Sequence, residues 1–160
     1  ILITSSSGIS LMTGTNGKMI LDGAGNVGIG TAPVVGNKMY VAGNINATGA
    51  ITGNSDGRLK EKREMIENAT DTLMKLCPQM YLKKPDFLST DETEWQPESG
   101  FVAQDIWYQT PELRHLVGRD VSGNDDWGEI PATMNYIGLI PYLVRCIQEQ
   151  NERIRKLEQR

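Results

Sequence analysis

Apolar residues alternate with polar or small residues from Met39 to Ile51. The odd positions are apolar or small, and the even positions are mostly polar or small. A period of two over this segment predicts an extended strand with one buried face. Gly43 and Gly49 lie on that face, where a missing side chain lets neighbouring backbones approach closely.

Two shorter apolar runs, residues 18–21 and 26–29, predict earlier strands that are separated by turns at 22–23 and 28–30. One such chain has too little apolar surface to enclose a core. Several identical chains could pool their apolar faces and cover the exposed strand edges. The edge of an ordinary β-rich domain is the alternative interpretation of the same pattern.

The downstream part of the chain has a different pattern, in which apolar positions follow a helical spacing. Residues 58–76 predict a helix that Ser55-Asp56 caps and Cys77-Pro78 ends. The segments that follow predict, in order, a short strand at 80–82, a loop or hairpin tip at 83–99, a strand turning into a helix at 100–106, and irregular structure at 111–128.

Residues 134–160 predict one long helix, in which Pro141 fits if it lies in the first turn or at a local kink. Its apolar residues repeat every seven positions along two seams. One seam holds Ile140, Ile147 and Ile154, and the other holds Leu143, Gln150 and Leu157. An isoleucine seam is compatible with a trimer, in which Gln150 would form a polar layer that fixes the register. A single helix that packs on its own domain would have the same periodicity, so that interpretation stays open.

The composition changes near Asn54. Residues 1–54 hold eleven of the seventeen glycines and no Trp, Cys, Phe or Glu, and their only charged residues are Lys18, Asp22 and Lys38. Residues 55–160 hold every Trp, and their 19 acids against 14 bases give a net charge of −5. This change predicts two architectures, over residues 1–54 and 55–160.

The charge and the sparse chemistry exclude several functional classes. A formal net charge of −4 gives no indication of nucleic-acid or membrane binding, and no apolar run is long enough for a transmembrane helix. The N-terminus lacks a signal-peptide pattern, so we expect a fragment of a longer protein. Cys77 and Cys146 are expected to be buried free thiols from a reducing cytoplasm. With a lone His115, we expect no metal, no cofactor and no Ser-His-Asp set.

Five segments carry a resemblance to a known family. They are 25–31 (Gly-Asn-Val-Gly-Ile-Gly-Thr), 41–49, 53–60 (Gly-Asn-Ser-Asp-Gly-Arg-Leu-Lys), 100–106 (Gly-Phe-Val-Ala-Gln-Asp-Ile) and 135–149, which ends in Ile-Gln-Glu. In this order and spacing they resemble the intramolecular chaperone peptidase domain that ends phage endosialidase tail spikes and other phage tail-fibre and neck-appendage proteins. A self-cleaving region of animal myelin regulatory factor is similar. The resemblance covers about residues 25–160.

The resemblance implies a mixed fold. A trimeric β-stalk of triple β-helix type ends at residue 54, and an α+β chaperone domain follows, whose long C-terminal helix joins a trimeric helical bundle. The homotrimeric chaperone would assist folding of the upstream fibre or tail-spike stalk of the same chain, in a virion assembled in the host cytoplasm. It would then release itself as a single-turnover serine autoprotease. By position, Ser55 is the nucleophile, Lys60 is its base, and Asn54–Ser55 is the scissile bond.

A serine hydroxyl attacks well only after a base takes its proton, and Lys60 can be that base only when uncharged. A free lysine has a pKa near ~10.4. Burial on assembly, the positive end of a helix beginning at 55–57 and the nearby Arg58 would all favour the neutral amine. A close Asp56 would oppose them.

The spacing gives a route for contact between the two groups. If Ser55 precedes a helix, Lys60 lies in its first turn and its long side chain can fold back to the hydroxyl. Gly53 and Gly57 would permit unusual dihedral angles around the bond to be cut. Free backbone N–H groups at the helix start could bind the oxyanion.

A purely structural tip is the alternative function. It would keep the same trimer without cleavage and could contact a receptor through the loops at 83–99 or 117–128. A membrane-proximal domain of a transcription factor, as in the animal relatives, is a third possibility that the absent transmembrane segment leaves unsupported.

Overall fold

The computed structural model describes residues 8–13, 16–120, 127–128 and 130–159. The protein is a small α+β fold with several sheets and a C-terminal helix, as the sequence predicts. Its contacts divide it into two compact units, Ile1–Lys60 and Glu61–Arg160. The expected change of architecture after residue 54 stays a prediction.

The first unit contains one four-stranded sheet. Its strands are β1 (Ile9–Thr13), β2 (Asn16–Leu21), β3 (Val27–Ile29) and β4 (Met39–Val41). They lie in the order β1-β2-β3-β4, with the first two pairings antiparallel and β3 parallel to β4. The predicted strands at 18–21 and 26–29 are confirmed as β2 and β3.

The predicted turn between β2 and β3 is confirmed, and Asp22 holds it. The Asp22 carboxylate accepts hydrogen bonds from the backbone N–H of Ala24 (2.9 Å) and of Asn26 (2.8 Å) and from the Asn26 side chain (3.0 Å). The turn predicted at Gly28 is wrong, because Gly28 lies inside β3. The left-handed backbone occurs instead at Gly30, with φ of 72°.

The predicted strand from Met39 to Ile51 is wrong beyond Val41. Residues 42–56 form neither strand nor helix, and Ile45 and Ile51 are 66% and 79% exposed. A strand needs a hydrogen-bonding neighbour, and β3 offers one for only three residues. After that, no neighbouring strand in the described part of this single chain continues the pairing.

The second unit mixes helices with two small sheets. Its helices are α1 (Ala69–Leu73), α2 (Ala103–Gln109) and α3 (Ile140–Glu158). Its strands are β5 (Gln79–Lys83), β6 (Gln96–Gly100), β7 (Val117–Gly118) and β8 (Thr133–Met134). β5 pairs with β6 and β7 with β8, both antiparallel. The predicted strand at 80–82 and the strand-to-helix segment at 100–106 are confirmed. The hairpin predicted over 83–99 is confirmed, but its loop ends earlier, because residues 96–99 belong to β6.

The predicted helix over 58–76 is wrong in its first half. A 3₁₀ helix covers Gly57–Leu59, and α1 begins ten residues later at Ala69. Lys62 and Asn68 have positive φ values of 48° and 52°. A right-handed helix cannot continue through such residues, so the apolar spacing did not produce one long helix.

The core of this unit lies between α2, the 3₁₀ helix Pro111–Leu116 and the start of α3. Its buried side chains are Ala103, Ile106, Leu113, Leu116, Val117 and Leu139. Fully burying a side chain such as Leu113 contributes about 1.5–3 kcal/mol. Gly138 lets the chain pass close to the core, since a Cβ there would overlap the Leu116 side chain. The region predicted to be irregular thus provides much of the core, although its residues 121–126 lie outside the described chain.

The predicted C-terminal helix is confirmed but starts later than residue 134. β8 and a 3₁₀ helix, Tyr136–Leu139, come first, and the Asn135 side chain accepts a hydrogen bond from the backbone N–H of Gly138 (3.1 Å). α3 then begins at Ile140, with Pro141 in its first turn. Proline is tolerated there because its missing N–H would have no helical partner.

The expectation that both cysteines are buried is wrong. Both are free thiols, but Cys77 is exposed and Cys146 is half-buried. Cys77 lies in the surface link between α1 and β5, whereas Cys146 lies on α3.

Candidate functional site

The chain turns back on itself between Ser55 and Lys60. Asp56 precedes the 3₁₀ helix Gly57–Leu59, and its carboxylate accepts a hydrogen bond from the backbone N–H of Arg58 (2.9 Å). The backbone N–H of Lys60 donates to the carbonyl of Gly57 (3.1 Å). This turn directs the side chains of Ser55 and Lys60 toward each other.

The Lys60 Nζ donates a hydrogen bond to the Ser55 Oγ at 2.7 Å. This is the distance at which a base can take a hydroxyl proton. Both side chains are exposed in the single chain. The structure therefore brings together the two residues predicted as nucleophile and base.

Lys60 reaches the hydroxyl by a different route from the predicted one. It lies after the last residue of a three-residue 3₁₀ helix and not in the first turn of an α-helix, so the prediction of a nearby positive helix end is wrong. The prediction of free N–H groups for an oxyanion fails at Leu59 and Lys60. Their N–H groups donate within the turn, to the carbonyls of Asp56 and Gly57 (3.1 Å each).

Asp56 and Arg58 form an ion pair beside the two residues. The Arg58 Nε lies 3.1 Å from both carboxylate oxygens of Asp56. The guanidinium lowers the pKa of Asp56, and the carboxylate in turn raises the pKa of Arg58. Asp56 is therefore paired with Arg58, a partner that the sequence alone did not identify.

Asn54 and Gly53 approach the turn as exposed chain without helix or strand. Neither Gly53 nor Gly57 has a backbone in the left-handed region, so the unusual dihedral angles predicted for them are not adopted. Both residues of the predicted scissile bond, Asn54 and Ser55, are exposed in the single chain.

The apolar residues of both predicted seams form one exposed stripe on α3, which from here on we call the seam. The seam comprises Ile140 (54% exposed), Leu143 (51%), Ile147 (66%), Ile154 (53%) and Leu157 (66%). The opposite face of α3 packs on α1 and the core, through half-buried residues such as Tyr142 and Cys146. The heptad positions are thus uncovered in the single chain.

Glu149, in the second unit, is a residue that the sequence identified only as a charge flanking the heptad positions and as the end of the Ile-Gln-Glu motif. Its carboxylate accepts hydrogen bonds from the first turn of α1, and the Thr70 backbone N–H is the main cause that lowers the pKa of Glu149. The signal that could have identified it is the motif itself, because an acid at a fixed place in a motif often has a fixed donor.

Within the described residues, no group of three or more His, Cys, Asp or Glu side chains converges as metal ligands would. None of the described helices has both the length and the apolar character needed to cross a membrane.

Comparisons with known proteins place this site in a wider context. Residues 55–114 match a family model described as chaperone of endosialidase, so the match begins at Ser55. The chain is also 32% identical, over 95 residues, to the long tail fiber protein Gp37 of Escherichia phage AR1. That alignment covers 59% of this chain and 8% of the phage protein, so the chain spans less than a tenth of its relative.

Proposed function

From the premise that this chain carries the chaperone domain of phage fibre proteins, as its motifs predict, we propose that it folds a fibre stalk and then cuts itself free. The self-cleavage uses Ser55 as nucleophile and Lys60 as base, at the bond between Asn54 and Ser55. The observation that carries this proposal is the 2.7 Å contact between the Lys60 Nζ and the Ser55 Oγ, at the residue where the family match starts.

The reaction is an acyl shift followed by hydrolysis. The amine of Lys60 takes the Ser55 hydroxyl proton, and the oxygen attacks the carbonyl carbon of Asn54. The C–N bond breaks, the amino group of Ser55 receives the proton, and an ester joins Asn54 to the Ser55 oxygen. Water then hydrolyses the ester, which leaves a carboxylate on Asn54 and restores the hydroxyl. No metal or cofactor is needed.

Assembly completes the site. Lys60 must be uncharged to take a proton, and an exposed amine in water is held in its charged form. Neighbouring chains that cover Lys60 would remove water and disfavour the ammonium. The uncovered seam of α3 supports a three-helix bundle as the assembly that brings them there.

The stalk is the substrate of the chaperone activity. Residues 1–54, with a short sheet followed by exposed Ile45 and Ile51, suit a trimeric β-stalk of triple β-helix type that closes only when three chains pool their strands. The relative is a tail fibre protein of a phage, and by analogy we assign this chain to a virion fibre assembled in the host cytoplasm.

Two substitutions test the dyad. Ser55→Ala removes the nucleophile, and Lys60→Arg keeps a long cation that cannot become neutral at ordinary pH. We expect the unaltered protein to give two bands on denaturing electrophoresis, with the C-terminal piece beginning at Ser55, and each variant to give one. In the unaltered protein, hydroxylamine should trap Asn54 as a hydroxamate if the ester forms.

Ser99→Ala serves as the matched control, since Ser99 is exposed on β6 in the other unit. It should be cut at the unaltered rate. An intact single band from the unaltered trimer, or cleavage that survives in Lys60→Arg, would refute the proposal. An intact trimer would instead favour the non-cleaving structural tip.

A further inference from the structure

Glu149 holds the first turn of α1 against α3. Its carboxylate accepts hydrogen bonds from the backbone N–H of Ala69 (3.0 Å), the backbone N–H of Thr70 (2.9 Å) and the Thr70 hydroxyl (2.8 Å). Arg145, one turn earlier on α3, lies 3.4 Å from the same carboxylate. The Glu149 side chain is 17% exposed, so these contacts are largely shielded from water.

α1 depends on this distant acceptor because it has no local cap. The helix is five residues long, and the side chain of its N-cap residue, Asn68, makes no capping hydrogen bond. Asn68 also has a left-handed backbone. A helix this short does not persist in water by itself. Glu149 therefore supplies from 79–80 residues away the acceptor that a capping residue normally provides.

The contacts of Glu149 with Ala69 and Thr70, which we call the clamp, and the seam occupy different faces of the same two turns of α3. Ile147 lies 66% exposed on the seam, while Glu149, two residues later, contacts α1. Residues 61–68 connect α1 back to Lys60. α3, the helix proposed to gather three chains, thus holds through Glu149 the first turn of α1, from which residues 61–68 lead back to Lys60.

We propose that Glu149 is a positioning residue for the self-cleavage. It fixes the first turn of α1 on the trimerising helix, and this turn anchors the segment that carries Ser55 and Lys60. This inference rests on the proposed function. Without the clamp, the first turn of α1 frays and the tether to Lys60 grows from eight residues to about thirteen. A longer tether lowers the effective concentration of the dyad segment at its place in the assembly.

Glu149→Gln tests the clamp with little change in volume. The glutamine keeps one acceptor oxygen but turns an amide donor toward the N–H and O–H donors of α1. We expect isolated trimers of this variant to keep their mass and to cut themselves about twofold more slowly, because lengthening the tether from eight to about thirteen residues lowers the effective concentration by about that factor. Thr70→Val removes one of the three hydrogen bonds and should slow cleavage by a smaller factor. The control, Glu152→Gln, makes the same charge change at an exposed position on α3.

Cleavage is measured per isolated trimer, so a variant that merely assembles poorly is not scored as slow. If Glu149→Gln trimers cut at the unaltered rate, or slow no more than Glu152→Gln trimers, the positioning role is refuted. If the unaltered protein is never cut, the proposed function fails. Hydrogen exchange then tests whether Glu149 holds the first turn of α1. Amides at Ala69, Thr70 and 61–68 must then exchange faster in Glu149→Gln, and unchanged exchange overturns the inference.

Discussion

The Ser55 hydroxyl and the Lys60 amine meet because the backbone between them reverses within a single tight turn. The Asp56 carboxylate caps that turn and pairs with Arg58, whose side chain is 89% exposed. An exposed ion pair contributes little stability, so the turn is held mainly by its backbone hydrogen bonds. The local sequence thus specifies the approach of the two groups, whereas the covering of the amine belongs to the proposed assembly.

The Asp56 carboxylate that caps this turn should affect the rate of self-cleavage. Asp56→Ala removes both the capping acceptor and the partner of Arg58, and we expect self-cleavage to slow about three- to tenfold. Asp56→Asn keeps a capping oxygen and should lose less. Asp91→Ala is the matched control, because Asp91 caps another 3₁₀ helix, Glu92–Glu94, in the second unit. Equal cleavage rates for Asp56→Ala and Asp91→Ala would show that the turn does not organise the site.

The pH dependence of cleavage tests how Asp56 supports the turn. The pKa of Asp56 is lowered from its ordinary 3.8, chiefly by Arg58, so its support of the turn is complete above that ordinary value and is lost only as the pH falls through the lowered pKa. Between about pH 5 and pH 8, the turn should therefore stay intact.

Measuring the rate across this range in the unaltered protein and in Asp56→Asn checks the assignment. The two profiles should run parallel, with the variant lower. Profiles that diverge within this range would contradict a turn that stays intact there.

At the scale of elements, α3 was predictable and the segment before α1 was not. The heptad seams of α3, the proline in its first turn and the run of helix-forming residues agree with one another, so the helix could be derived from the sequence. Residues 58–76 had similar spacing, but Lys62 and Asn68 adopt left-handed backbones that no spacing rule reveals. Likewise, Glu149 reaches α1 through tertiary contact, which periodicity does not encode.

The seam of α3 gives a prediction at this scale. Ile147→Asp places a charge in the middle of an apolar seam and should reduce the trimer to monomers, because a buried unpaired charge is very costly. Gln148→Asp places the same charge on the next, exposed residue and should leave the trimer intact. Native mass spectrometry or light scattering after size exclusion measures the outcome. Trimers of Ile147→Asp with unaltered stability would assign the seam to another role.

At the scale of the whole molecule, the proposed function assigns different needs to a β-stalk and to a chaperone domain. The strand predicted through Ile51 ends at Val41 in this chain, because β3 offers it a hydrogen-bonding neighbour for only three residues. Under the proposed function, an attached chaperone would lower the entropy cost of bringing three stalks into register. Cutting between Asn54 and Ser55 would remove that assistance, so an unfolded stalk would not readily form again.

This difference predicts kinetic locking of the stalk. The uncut Ser55→Ala trimer should refold after denaturation more completely than the cut stalk, because it keeps its chaperone. Refolding yield after dilution from denaturant, followed by circular dichroism and size exclusion, compares the two forms. Equal refolding and equal melting of cut and uncut protein would argue that cleavage has no part in stabilising the fibre.

The masses of the pieces produced by purified trimer test the central claim most directly. We predict that the intact chain gives way to two products whose masses sum to the chain plus one water, with the C-terminal product beginning at Ser55, and that Lys60→Arg trimers produce neither. A trimer that keeps one undivided mass through prolonged incubation, or that divides at another bond, would contradict the account.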